Sequence, residues 1–291
     1  MLVYLIPLVA AMMYPLGSLW LKRAQQEGAG PWQSTVYSNW IMTACFFPLL
    51  LLQPEFPDWS LIHWPILAGI LFFFGQLFTV FAVHAGDVSV QAPLMGCKVI
   101  FVALYSSFWL HSEALTPGIW IAAGLTAVAV FLLGSGNGSF RGRALGVVYA
   151  LLSCIFFAAT DALVGAHGSR FGSIPMLITV MATLSLASLF VWPVARRGSR
   201  LSPVCRRWLW YGSIAYGVQA AILGVGLSFF GKATPINIVY SSRGLFGIAL
   251  VWFVGQWFAN QERNKVSPQV MLRRLLGSLI LCLAILLVIF A

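Results

Sequence analysis

Apolar runs of about twenty residues alternate with short polar gaps along the whole chain. A helix rises about 1.5 Å per residue, so crossing about 30 Å of hydrocarbon takes about 20 mainly apolar residues. Ten runs meet that need: 2–22, 33–53, 63–84, 88–110, 117–134, 142–166, 173–195, 206–230, 235–258 and 270–290. The runs are continuous rather than alternating, which predicts helices and not barrel strands. Pro65, Pro117 and Pro235 stand where helices are predicted to open, a position that needs no backbone donor. Trp20, Trp32, Trp59, Trp64, Trp109, Trp120, Trp192, Trp208, Trp210 and Trp257 lie at or near predicted ends, at headgroup level. The gaps are too short to hold an inserted soluble domain. Leu2–Leu21 lacks a basic leading region and is read as the first span, not as a cleaved signal.

Composition agrees with lipid as the solvent. Charged residues make up 8 % of the chain, against about 25 % in a soluble domain, too few for a water-facing surface. The net charge of +10 then needs no nucleic acid to explain it, because most of it sits in the gaps. Thirteen Lys and Arg fall on one side: Lys22, Arg23, Arg141, Arg143, Arg196, Arg197, Arg200, Arg206, Arg207, Arg263, Lys265, Arg273 and Arg274. The other side holds Arg170 and Lys232. Positive loops stay in the cytoplasm, which predicts both termini outside and a multi-pass protein of a bacterial inner (plasma) membrane. The partners expected are membrane lipid and a small-molecule substrate, with monomer and homodimer equally open. The five cysteines are scattered, with no spacing for disulfides or zinc, and no metal or cofactor is expected.

Slid against itself by about 145 residues, the chain matches locally: Gly86-Asp87 with Gly231-Lys232, Lys98 with Arg243, Phe101 with Phe246, Phe108 with Phe253. Trp64 with Trp208, Gln76 with Gln219 and Pro31 with Pro175 follow at similar offsets. Each half then has five spans, and an odd number inserts the second half upside down. The expected fold is therefore all-α and membrane-integral, ten transmembrane helices in two inverted five-helix repeats, 1–138 and 139–291.

The stretch Ala82-Val-His-Ala-Gly-Asp-Val-Ser-Val-Gln-Ala-Pro93, an apolar helix, then Glu113-Ala-Leu-Thr-Pro117 and a Gly/Ala-rich helix to Leu133 resembles the EamA-type repeat of the drug/metabolite transporter superfamily. The second half resembles it more loosely, through Gly231-Lys-Ala-Thr-Pro235, Glu262 and Ser267-Pro268. The resemblance implies a ten-helix carrier of amino acids, sugars, nucleotide precursors, phosphate esters or drugs. It also implies a central cavity lined by helices four and nine, among others. Many members of the family begin with a basic, cytoplasmic N-terminus, and the charge pattern here departs from that.

Charge inside a bilayer costs about 2.5–3.5 kcal/mol per residue on insertion scales and marks function by default. Lys98 and Arg243 fall near mid-membrane at matched depth, and the resemblance implies that they hold an anionic group of the substrate. Pairing with Asp161 is the structural alternative; Asp161 itself is read as an ion-pair partner or a carrier of the coupling proton. Gln76 and Gln219 are candidates for hydrogen bonds to substrate, with Asn39 and Asn237 weaker ones. Tyr240 leads Tyr14, Tyr105 and Tyr216 as a cavity aromatic, because it lies about one turn from Arg243. Pro93 is expected to kink helix four, and Glu113 and Glu262 to cap or gate. His63, His84, His111 and His167 are read as interfacial.

No Gly-rich loop ending in Gly-Lys-Ser/Thr is present, which excludes ATP hydrolysis of the P-loop kind in this chain. The reading is a secondary transporter, not an enzyme, that exports small zwitterionic or anionic solutes such as amino acids by alternating access. An intramembrane enzyme would need a catalytic cluster that does not appear. A membrane scaffold would leave the buried charges without a role.

Overall fold

The computed structural model describes residues 2–52, 55–85, 95–134, 140–198, 200–254 and 268–290. Among them the chain is helical, with no strand. We number the α-helices α1 Leu2–Gln26, α2 Pro31–Ala44, α3 His63–Ala85, α4 Lys98–Leu104, α5 Pro117–Gly134 and α6 Phe140–Phe171. There follow α7 Ser173–Ala195, α8 Pro203–Phe230, α9 Ala233–Tyr240, α10 Arg243–Val254 and α11 Pro268–Phe290. Among the described residues, six helices are long and apolar enough to cross a membrane, beginning at Val3, Pro31, His63, Ala144, Ser173 and Pro203. Shorter apolar helices occupy Lys98–Trp109, Pro117–Ala129 and Leu275–Phe290. Large apolar side chains such as Phe131, Leu186, Phe190 and Phe253 point outward, which suits hydrocarbon and not water. The protein is an integral, multi-pass membrane protein.

Local chemistry explains the ends. Ser202 accepts a hydrogen bond from the Cys205 N–H ahead of Pro203, the first residue of α8, which caps an otherwise unpaired donor. Gly231 closes α8 with φ 64°, a left-handed conformation that glycine reaches without a Cβ penalty. After α2 the chain continues as a 3₁₀ helix over Phe47–Leu52, where Pro48 supplies no N–H and discourages α geometry before it. Span four is also irregular: 3₁₀ at Met95–Cys97, then α4, then a π turn over Tyr105–Trp109. Span nine is broken outright between Tyr240 and Arg243. Pro93, Gly86, Asp87, Glu262 and Ser267 lie outside the described residues.

The helices pack in matched sets. α1 lies along α8, and α3 lies along α6; α2 contacts α7 and α8, while α3 contacts α7. α5 packs on α11, α4 on α6, and α9 and α10 on α1. Close approach depends on missing side chains, as expected where helices associate in lipid. A Cβ on Gly212 would lie 2.9 Å from the Leu21 backbone N and 3.1 Å from the Gly17 carbonyl, so α1 and α8 touch backbone to backbone. A Cβ on Gly69 would lie 2.7 Å from the Val180 carbonyl, where α3 meets α7. Buried hydroxyl pairs join two further crossings, Ser38 of α2 to Ser213 of α8 at 2.8 Å and Thr79 of α3 to Ser153 of α6 at 2.7 Å.

Candidate functional site

A cavity lies at the centre, walled by side chains from both halves of the chain. Its polar end is built where two irregular or jointed spans meet the long helix α6. Lys98 opens α4, directly after the 3₁₀ turn, and Arg243 opens α10, directly after the break. Asp161 projects from the C-terminal half of α6. Each is buried: Lys98 is 4 % exposed, Asp161 6 % and Arg243 2 %. The structure brings Lys98, Asp161, Arg243, Tyr240, Gln76 and Gln219 to the wall of this one cavity.

Lys98 Nζ donates to Asp161 Oδ2 at 2.6 Å. The two charges cancel, and each answers the desolvation of the other. Arg243 is held differently. Its Nη2 donates to the Met95 carbonyl, and its guanidinium lies 4.4 Å from the Tyr240 ring centre and 4.6 Å from that of Tyr14. Both distances are within cation–π range, an attraction that strengthens when water is excluded. Arg243 makes no ion pair among the described residues, and its Nε has no hydrogen-bond partner among them. Among the described residues, the pocket therefore carries one positive charge that no carboxylate offsets.

The rest of the wall sets that charge in place. Tyr240 OH donates to Gln219 Oε1 at 2.5 Å, so Gln219 fixes the ring that flanks Arg243. Tyr14 packs on Tyr216 at 5.3 Å, and Tyr216 OH pairs with Ser18 Oγ at 2.7 Å. Gln76 Nε2 has no partner among the described residues, a donor on the cavity wall. Away from the charges the wall is apolar: Phe72, Phe157, Leu177, Val180 and Met181. Space for water-sized particles amounts to about 60 Å³, room for a few waters.

Other polar residues singled out in the sequence lie elsewhere. Asn39 donates to Ser188 Oγ at 2.9 Å and Asn237 to the Ala233 carbonyl at 3.0 Å, both packing bonds away from the cavity. Tyr105 packs on Trp109 in the π turn. The His63 and His167 rings lie 4.7 and 4.1 Å from that of Trp64. The apolar half of the wall had no distinguishing mark in the sequence, because Phe, Leu, Val and Met also fill the core and the lipid-facing surface.

Glu113, in the loop before α5, joins the two halves. Both its carboxylate oxygens accept from the Thr234 N–H, at 3.3 Å each, in the first turn of α9. His111 ahead of it takes φ 47°, which turns the chain toward α9. Burial pushes the Glu113 carboxyl above its ordinary range, against the opposing pull of the Thr234 bond. A carboxyl raised in the folded protein contributes its stability at low pH and loses it as pH rises through the folded value. Glu113→Gln keeps an acceptor for Thr234 but cannot ionise. The wild type should therefore melt progressively lower relative to the variant as pH rises from about 4.3 toward neutrality. A constant difference in melting temperature across that range would contradict the shift.

Residues 1–135 match the EamA-like transporter family. No curated protein matches the sequence. A solved structure described only as a crystal structure of a protein aligns over 96 % of this chain and 98 % of that one, with a TM-score of 0.58 and 18 % identity, a likeness of fold alone. In its first 135 residues, therefore, the chain is similar to EamA-like transporters, and its helices are of a kind that suits lipid.

Proposed function

We propose that the protein is a secondary transporter that exports small zwitterionic or anionic solutes, such as amino acids, by alternating access. The observation that carries this reading is the charge of Arg243, without an ion pair among the described residues and buried between two tyrosine rings at the end of an apolar cavity. A carboxylate suits that charge, and the fork of a guanidinium suits a planar anion. Asp161 beside it suits an ammonium group, and the wall of Phe72, Phe157 and Val180 suits a small apolar side chain. A cavity with room for only a few waters is too small for such a solute, so loading it requires the halves to part.

The wider architecture in this proposal is ten spans in two inverted repeats, 1–138 and 139–291, in a bacterial inner membrane with both termini outside. The matched packing supports it. Exchanging the halves turns the α1–α8 contact into the α6–α3 contact, and the α2–α8 contact into the α7–α3 contact. It likewise turns the contacts of α9 and α10 with α1 into that of α4 with α6.

The test is counterflow in proteoliposomes with radiolabelled amino acids, organic acids and phosphate esters, with and without a pH gradient. Uptake should be confined to substrates that carry a carboxylate beside an amine or a short apolar group. Transport of cations or neutral sugars alone would reject the anion-site reading. Independence from every ion gradient would leave a facilitated exchanger.

A further inference from the structure

A second depression, separate from the cavity, opens between α2, α7 and the start of α8, on the face that carries the basic loops. It measures about 900 Å³, the size of pockets that hold extended organic ligands. Its rim is Arg196, Arg200 and Arg206, all exposed and none in an ion pair among the described residues. Its floor is aromatic: the Trp40 and Trp192 rings are 5.2 Å apart, and Tyr37 meets Trp192 at 6.1 Å. Trp40 Nε1 donates to the Ser185 carbonyl at 3.3 Å, which fixes the indole. Past Trp40 and Ala44 the depression continues into an apolar slot of about 440 Å³, walled by Phe47, Ile178, Ala182 and Leu186.

We infer that this groove binds one anionic phospholipid, its phosphate among Arg196, Arg200 and Arg206 and one acyl chain laid past Trp40 into the slot. The order of chemistry along the groove is that of a lipid: cations, then tryptophan and tyrosine at headgroup level, then hydrocarbon. Basic pockets between helices on the positive side of a membrane protein hold anionic headgroups in this way. A zwitterionic lipid brings no net charge to three guanidinium groups, and a free soluble anion leaves the slot without a partner. Phe46 and Met181 line both the slot and the central cavity, so the tail would end one side chain away from it.

The inference needs the membrane setting but not the transport reading, and its test measures binding alone. Full-length protein would be reconstituted with phosphatidylglycerol and phosphatidylcholine, extracted in mild detergent, and its retained lipids counted by native mass spectrometry. The wild type should keep one phosphatidylglycerol in preference to phosphatidylcholine. Arg196→Gln with Arg206→Gln should lower that retention roughly tenfold or more. Arg197→Gln with Arg207→Gln, equal in charge change but off the groove, should leave it unchanged. Ala182→Trp, which fills the slot without altering charge, should lower it as well, with size exclusion confirming that each variant is folded. Equal losses from the two arginine pairs would overturn the inference in favour of a general attraction of basic loops. So would retention without preference for phosphatidylglycerol, or displacement of the lipid by inorganic phosphate.

Discussion

Lys98→Met is expected to destabilise the protein by about 3–5 kcal/mol, the cost of leaving the Asp161 carboxylate buried without its partner. Asp161→Leu should cost a similar amount by stranding the ammonium. The pair together, Lys98→Met with Asp161→Leu, should recover most of the loss, because two buried charges replaced by apolar groups of similar volume are often neutral or better. Unfolding of each variant in mixed micelles gives the three values, and their cycle gives the coupling. Additive losses would mean that the 2.6 Å contact contributes little to stability. The same cycle separates two readings of Asp161. If the double variant is stable and still couples transport to a proton gradient, Asp161 is not the proton carrier.

Arg243→Gln should lower transport by roughly ten- to a hundredfold at sub-saturating substrate. A hydrogen bond to a charged group is worth about 1.5–3 kcal/mol, and 1.4 kcal/mol is a factor of ten. Membrane insertion should be unaffected, since removing an uncompensated buried charge relieves an insertion cost. Arg243→Lys keeps the charge but loses the flat face that lies between Tyr14 and Tyr240, so it should fall between the two. Concentration dependence of counterflow would show the loss chiefly in apparent affinity. Unchanged transport in Arg243→Gln, with the protein intact by size exclusion, would remove the anion site from the mechanism.

What the sequence made legible follows from what lipid forbids. Apolar runs long enough to span were visible because backbone polar groups cannot go unpaired in hydrocarbon. Lys98, Asp161 and Arg243 were visible for the complementary reason, as charges in runs that otherwise exclude them. Their division of labour was not. Pairing of Asp161 with Lys98 rather than Arg243 depends on how α4, α6 and α10 cross, and the spacing of residues along the chain does not contain that angle. Tyr14 against Arg243 is a contact between α1 and α10, invisible to local pattern. The break at Ser241-Ser242 was also hidden, because serine is tolerated inside membrane helices. Gly212 and Gly69 carry close helix crossings, yet in a chain with 27 glycines nothing marks those two out.

The gap in span nine has a consequence for how the cation can be re-aimed. Ser242 N–H reaches the Val239 carbonyl and Gly244 N–H the Ser241 carbonyl, three-residue steps that interrupt the regular four-residue ladder. Rotating α10 against α9 would then draw on the dihedral angles of two small residues, without melting a full helical turn. Arg243 is the first residue beyond that pivot, so a small tilt would slide its guanidinium edgewise out of its aromatic sleeve. Grip on the solute and exposure to one side of the bilayer would thus be set by the same few bonds. A bulky β-branched residue at Ser242 would stiffen both together.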